Sequence, residues 1–131
     1  LDPSLRMAVF TAWYDLVIGD VFLKMPPADF AAAIGRETGS LHTEFPDRYR
    51  RFIIDGRMHT TLLGDPTGII GTDLGTVEVP EEVFESLAGV ELGSLASTTT
   101  ANGNPISDWL ADFANGNDAW VDLVDPAGPV P

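Results

Sequence analysis

Two side chains of this sequence combine residue types and positions suited to proton transfer: Asp15 and His59. His42 is the other histidine of the chain, so imidazole chemistry must use one of these two. Asp15 directly follows one predicted buried strand, and His59 lies just beyond a second strand and the Asp55-Gly56 break. Reacting groups gather at the carboxyl ends of parallel strands. There a carboxylate can orient an imidazole and stabilise its protonated form, which is the acid–base half of a nucleophilic triad.

The same spacing permits a simpler interpretation, in which Asp15 caps a helix and His59 lies at the surface. Asp20, one helical turn further on, is an alternative acid, although its position within a helix favours a solvated carboxylate. His42 falls in a predicted polar loop and is expected to be exposed. Four arginines offer either an anion-binding patch or partners for nearby acids, with the second more common for charge runs: Arg48, Arg50, Arg51 and Arg57.

Two apolar runs rich in β-forming residues predict the strands that position Asp15 and His59. The first is residues 7–14 (MAVFTAWY) and the second is residues 49–54 (YRRFII). The first is nearly continuous and resembles a strand buried on two faces, as in a mostly parallel sheet covered by helices, and the second has its apolar centre at 52–54. Because helical segments separate them, we expect a right-handed parallel crossover.

The helical segments are marked by apolar spacing and by proline and glycine. Residues 16–25 have helical spacing, and Pro27 can open a second helix that ends at Gly35 or Gly39, followed by a polar connection over 40–47. A last helix places Ile106, Trp109, Leu110 and Phe113 on one face, with Gly116 as its stop and Ser107 near its start. A short helix is predicted at Pro80–Leu87.

The fold class predicted from this order is α/β, with parallel strands covered by helices. Two parallel strands make an incomplete sheet, so we expect upstream strands to lie elsewhere. Residues 1–125 then form the C-terminal segment of a single domain. Within it, residues 64–104 are loop-rich and are interpreted as an insertion or lid, since irregular stretches of this length are usually functional. Residues 126–131 form a proline-rich tail that we expect to lie on the surface or fray.

Composition excludes several classes of function. The chain has 131 residues and no cysteine, which removes thiolate metal sites and cysteine nucleophiles. All seven basic residues lie in 1–59, beside eight acids, whereas 60–131 holds twelve acids and no Lys or Arg. A net charge of −13 argues against nucleic acid as a partner. No apolar run has the ~20 residues of a membrane span, and the Leu-Asp-Pro start predicts an internal or processed boundary.

Three segments, taken in order, resemble the C-terminal portion of the pectin acetylesterase family, which includes the Notum-type carboxylesterases. They are residues 10–18 (FTAWYDLVI), 49–63 (YRRFIIDGRMHTTLL) and 106–120 (ISDWLADFANGNDAW). The resemblance implies an α/β-hydrolase in which Asp15 is the triad acid and His59 the general base. It also implies that Trp109 and Trp120 are packing residues, that no cofactor or metal is needed, and that the protein is secreted or periplasmic.

The chain departs from the family pattern at the nucleophile. The family's serine lies in an upstream G-x-S-x-G elbow, and no serine of this chain is bracketed by glycines in that way. The 64–104 stretch is longer than the corresponding family loop, and the disulfides of animal relatives have no counterpart. We therefore expect the serine to come from the missing N-terminal part of the hydrolase domain, and this chain alone to be inactive.

Two functions follow as hypotheses. The first is a serine-type carboxylic ester hydrolase acting on a small-molecule or polysaccharide ester, with acetyl esters as the favoured class. The alternative is a non-catalytic acidic binding or interaction module, in which Asp15 and His59 would lie on different faces. A metal hydrolase is poorly supported, because the chain has two histidines and no H-E-x-x-H motif. The acidic residues of 60–131 are interpreted as a solvated surface in preference to a calcium site, because no D-x-[DN]-x-[DN]-G loop is present.

Overall fold

A computed structural model describes residues 2, 4–60 and 92–130 of the chain. Its centre is a three-stranded sheet in the order β1–β2–β5, formed by β1 (Met7–Ala12), β2 (Tyr49–Ile54) and β5 (Leu123–Val124). All neighbouring strands in this sheet are parallel. A second parallel pair joins β3 (His59–Thr60) to β4 (Leu92–Gly93).

The two predicted strands are confirmed, as is their parallel pairing. Met7 of β1 is opposite Tyr49 of β2, and the register continues to Ala12 opposite Ile54. β2 is the central strand, and Phe52, Ile53 and Ile54 are buried because helices cover the faces of the sheet from which these side chains project. β1 ends two residues earlier than predicted.

The connection from β1 to β2 contains a π-helix at Val17–Phe22 and the helix α1 at Pro27–Glu44. Pro27 opens α1 as predicted, since its fixed φ suits the first helical position. The prediction that this helix ends at Gly35 or Gly39 is wrong. Gly35 lets the helix approach the Trp13 ring, which would lie 3.3 Å from an added Cβ, and this packing outweighs the poor helix propensity of glycine.

The last helix, α2, spans Ile106–Asn115 and matches its predicted position. Gly116 ends it with φ +68°, and the Gly116 N–H donates to the carbonyls of Asp112 and Phe113. Ser107 does not cap this helix: the cap position is Pro105, and Ser107 already lies inside the first turn. The apolar face of α2 packs on the sheet.

The core lies between α2 and the sheet. Trp109 packs against Phe52 with ring centroids 5.4 Å apart and against Trp120 at 6.0 Å. Both tryptophans are 3% exposed, which fits the packing role that the resemblance implied. Ala12, Ile54 and Ile106 complete the buried cluster.

Most of the described tail residues, 126–130, are exposed, as expected of a surface segment, but the segment that begins at Asp125 is also held by hydrogen bonds. Asp125 is buried, and its carboxylate accepts the Ala101 N–H, while Gly128 is hydrogen-bonded on both its N–H and its carbonyl. Tertiary hydrogen bonds, which a proline-rich composition does not reveal, hold this segment.

Two further expectations concern the stretch before α2 and membrane insertion. Residues 64–91 of the predicted lid, including the helix predicted at Pro80–Leu87, lie outside the described residues. No helix among the described residues is long and apolar enough to cross a membrane.

Candidate active site

Asp15 and His59 follow the carboxyl ends of β1 and β2, which are adjacent and parallel. Pairing continues past the strands themselves, because the Trp13 N–H donates to Ile54 and the Tyr14 N–H donates to Gly56, both at 3.0 Å. Gly56 has φ +96°, a conformation that glycine adopts without strain, and it turns the chain towards His59. The side chains of Asp15 and His59 therefore lie at the same edge of the sheet.

The two side chains are in direct contact. The Nδ1 atom of His59 lies 3.0 Å from Oδ2 of Asp15 and 3.1 Å from Oδ1. Both distances fall in the range of ~2.6–3.2 Å expected for a base and the group that orients it. Asp15 is buried, at 4% side-chain exposure, whereas the His59 side chain is 27% exposed. The acid is thus shielded while the imidazole remains accessible.

This contact defines the protonation behaviour of His59. Hydrogen bonding to Asp15 raises the pKa of His59, partial burial opposes this by lowering it, and the negative charge of Asp15 raises it further. A carboxylate can only accept, so we assign the ring proton to Nδ1. The lone pair of Nε2 is then free to accept a proton, as catalysis by a general base requires.

Asp15 is itself oriented by the π-helix that follows it. The Ile18 N–H donates to Oδ1 of Asp15 at 3.0 Å, and the Gly19 N–H donates to the Asp15 carbonyl at 2.8 Å. The carboxylate therefore has the capping contact of the simpler interpretation as well as the contact with His59. π-helical turns are rare and occur often at functional sites.

A small cavity of about 130 Å³ lies beside the acid. Its walls include Asp15, Gly19 and Phe30, and the polar side chains of Asp20 and Arg57 also line it. Asp20, the alternative acid, is exposed on the π-helix. Among the described residues, the acid that bonds to His59 is Asp15 and not Asp20.

His42 does not lie in an exposed loop, as was predicted. It belongs to the last turn of α1 and is half-buried, with Nδ1 2.9 Å from the carbonyl of Tyr49 and 3.6 Å from Oδ1 of Asp122. This error follows from the one in the length of α1, because the loop predicted over 40–47 is mostly helix.

The four arginines do not converge on one anion site. Arg51 forms a bidentate ion pair with Asp122, in which Nη2 is 2.6 Å from Oδ2. Arg50 donates to the carbonyl of Trp120, and Arg48 lies over the ring of Phe45. These three arginines have structural roles, which agrees with the interpretation as partners of nearby groups, whereas Arg57 lines the cavity beside Asp15.

The described residues contain no serine that completes a triad. None of the hydrogen bonds between residues of 4–60 and 92–130 joins a serine hydroxyl to His59. Ser94 and Ser97 instead bond to each other, with their Oγ atoms 2.9 Å apart. Ser86 lies outside the described residues.

The sequence interpretation missed three groups near this edge: the Ile18 N–H, the Tyr14 hydroxyl and the Asp55 carboxylate. The helical spacing directly after Asp15 was a usable signal for the first, since an acid at that place can accept N–H groups of the following turn. The partner of the other two is Gly128, which no local pattern indicates.

Within the part of the chain that the structure describes, no group of three or more His, Asp, Glu or Cys side chains is arranged to hold a metal ion. Comparisons of this chain with protein-family models, with curated proteins and with solved structures found no match.

Proposed function

We propose that this chain provides the acid and the general base of a serine-type carboxylic ester hydrolase. The observation that carries the proposal is the contact of Asp15 with Nδ1 of His59, at 3.0 and 3.1 Å, beyond two adjacent parallel strands. The nucleophilic serine and the oxyanion hole would come from the missing N-terminal part of the hydrolase domain, on the same chain or another.

In this mechanism Nε2 of His59 takes the proton of the serine hydroxyl as the serine oxygen attacks the ester carbonyl. The ester C–O bond then breaks, and His59 returns the proton to the departing alcohol. A water molecule, deprotonated by the same nitrogen, then attacks the acyl-enzyme. The bond between the acyl carbon and the serine oxygen breaks, the acid is released, and His59 returns the proton to the serine oxygen. Asp15 holds the ring in place and stabilises the imidazolium that forms in each half of the reaction.

The proposed substrates are carboxylic esters, with acetyl esters of a polysaccharide favoured by the resemblance of the three segments around Asp15, His59 and Trp109. No cofactor takes part. A secreted or periplasmic location belongs to the same proposal, because such substrates lie outside the cytoplasm.

The alternative, a non-catalytic acidic module, required Asp15 and His59 on different faces. Their direct contact supports the hydrolase in preference to this module. A module would still bind its partner after both residues had been replaced, and it would show no esterase activity, so one set of variants separates the two functions.

The test is hydrolysis of p-nitrophenyl acetate and of an acetylated polysaccharide by the intact protein, with acetate release as the second measurement. His59→Gln should reduce kcat/KM by about 10³-fold or more, because the proton acceptor is removed. His42→Gln replaces the other histidine and should leave activity within about twofold of the wild type, since His42 hydrogen-bonds to the Tyr49 carbonyl, lies 3.6 Å from Asp122 and does not contact the Asp15–His59 pair. Equal activity of wild type and His59→Gln would refute the proposal.

A fluorophosphonate probe, which reacts with activated serines, locates the nucleophile. In the intact protein, mass spectrometry should find the label on an upstream serine, and His59→Gln should abolish the labelling. The 131-residue chain by itself should remain unlabelled. A label on one of its own serines would show that the nucleophile had been assigned to the wrong segment.

A further inference from the structure

We propose that residues 125–128, named here the C-terminal strap, position the Asp15–His59 pair by tying together the chain segments that follow β1 and β2. Tyr14 and Asp55 are the positioning residues through which the strap acts. The catalytic importance of this role rests on the function proposed above, but the role itself is argued from contacts within this chain.

The strap bonds to side chains just beyond both strands. The Trp13 Nε1–H donates to the carbonyl of Asp125 at 2.7 Å, and the Tyr14 hydroxyl donates to the carbonyl of Gly128 at 2.6 Å. On the β2 side, the Gly128 N–H donates to Oδ1 of Asp55 at 2.8 Å. Gly128 therefore connects the two segments through its own peptide groups.

The beginning of the strap is itself held firmly. Asp125 continues the pairing of β5, since its N–H donates to the carbonyl of Ile53 at 2.8 Å. Its buried carboxylate accepts the Ala101 N–H with both oxygens, at 2.9 and 3.0 Å. An anchored segment can restrain the groups to which it bonds, whereas a frayed tail could not.

These contacts lie close in the chain to the reacting pair. Tyr14 directly precedes Asp15, and its N–H donates to Gly56, which directly follows Asp55. A shift of either segment would alter the distance between Asp15 and His59. Hydrogen-bonded catalytic groups are sensitive to misplacement of about 1 Å, which can reduce rates by about 10²-fold.

Gly128 fits closely against Asp55. An added Cβ would meet the Asp55 carboxylate at less than van der Waals distance, so a larger residue must displace either the strap or Asp55. Tyr14 is buried, at 5% exposure, and its hydroxyl donates to the carbonyl of Gly128. The contact thus depends on a residue without a side chain at position 128.

The first measurement uses the intact protein and does not depend on esterase activity. NMR titration of His59 should show a pKa raised above the ordinary ~6.5 in the wild type, with a smaller elevation in Tyr14→Phe and in Gly128→Ala. Among the described residues, the carboxylate of Asp15 contacts the His59 ring and the carboxylate of Asp55 contacts the strap. The elevation should be smaller in these variants because loss of a strap contact weakens the hydrogen bond between Asp15 and Nδ1 of His59.

Two matched variants control for general effects. Tyr49→Phe removes the hydroxyl of an equally buried tyrosine, at 6% exposure, which lies at the opposite end of β2. Gly39→Ala adds a methyl group on α1, where the nearest atom is at an ordinary 3.6 Å. Both should leave the His59 titration as in the wild type.

The second measurement is the pH profile of ester hydrolysis by the intact protein. Tyr14→Phe should lower kcat by about fivefold, the effect of losing one hydrogen bond, and should leave KM unchanged. The part of the profile in which kcat rises with pH should move to lower pH, because it follows the pKa of His59. Unchanged His59 titrations in Tyr14→Phe and Gly128→Ala would refute the strap even if His59→Gln abolished activity. Altered titrations without esterase activity would support the strap and refute the hydrolase.

Discussion

Replacement of Asp15 by asparagine tests how the carboxylate controls the imidazole. The substitution keeps the size of the side chain and removes its charge. Oδ1 accepts the Ile18 N–H at 3.0 Å, so the asparagine oxygen should occupy that position, since an amide NH₂ placed there would face another donor. The NH₂ group then takes the position of Oδ2, 3.0 Å from Nδ1 of His59.

An NH₂ group at that position competes for Nδ1 with the amide oxygen, which lies 3.1 Å from the same ring nitrogen. It favours the tautomer in which Nδ1 accepts a hydrogen bond and the ring proton is on Nε2, the nitrogen that should receive the proton of the serine. The same substitution in a triad of known mechanism lowers kcat by about 10⁴-fold. This corresponds to about 5 kcal/mol of transition-state stabilisation, and we expect a loss of this size.

The assay is kcat and KM for p-nitrophenyl acetate with the intact protein, between pH 6 and pH 9. Asp15→Asn should lose activity through kcat with little change in KM, because the substrate itself does not contact Asp15 in the proposed mechanism. Asp20→Asn, an exposed acid on the π-helix, is the matched control and should stay within about twofold of the wild type.

Thermal unfolding of Asp15→Asn should be measured alongside, so that loss of fold is separated from loss of catalysis. A folded Asp15→Asn protein that keeps more than about a tenth of wild-type kcat would refute the tautomer argument. Loss of activity in Asp20→Asn and not in Asp15→Asn would identify Asp20 as the acid.

Three further predictions concern the stability of the chain. The pKa of His59 is raised in the folded state, so the contribution of His59 to stability is complete below its unfolded pKa of ~6.5 and is lost as the pH rises through its folded pKa. The difference in Tm between wild type and His59→Gln should therefore be larger at pH 5.5 than at pH 8.5. Equal differences at the two pH values would argue against the ion pair with Asp15. Arg51→Ala breaks a bidentate pair with half-buried Asp122 and should lower the free energy of unfolding in urea by about 2 kcal/mol, whereas a change below about 0.5 kcal/mol would show that the pair contributes little. Trp109→Ala removes the side chain at the centre of the core and should lower the free energy of unfolding in urea by about 3–5 kcal/mol. A Tm within a few degrees of the wild type would contradict this prediction.

Much of the architecture was predictable because its signals are local. The position of β2 was predicted to the residue, because its apolar centre at 52–54 is typical of a central parallel strand that is covered on both faces. Helical periodicity predicts the face of α2 that carries Trp109. Glycine at 116 predicts the end of the helix because glycine adopts a positive φ without strain, and Gly116 has φ +68° in the structure. One rule predicted that Asp15 and His59 lie close together: neighbouring parallel strands present their carboxyl ends at the same edge of the sheet.

Errors arose where tertiary contacts outweigh local preference. α1 continues past Gly35 and Gly39 because its packing against the sheet, with Gly35 next to Trp13, offsets the propensity cost of glycine. The third strand, β5, has only two residues and is stabilised by β2, so it leaves no periodic pattern in the sequence.

The sequence by itself determined the strands, the closing helix and the edge of the sheet where an acid and an imidazole meet, because apolar periodicity and strand order act through neighbouring residues. Only the tertiary structure decided that Nδ1 of His59 bonds to both oxygens of Asp15, and that Gly128 joins the segments beyond β1 and β2. These contacts connect residues 44 to 114 positions apart. Their partners are selected by the packing of the whole chain, which no local pattern encodes.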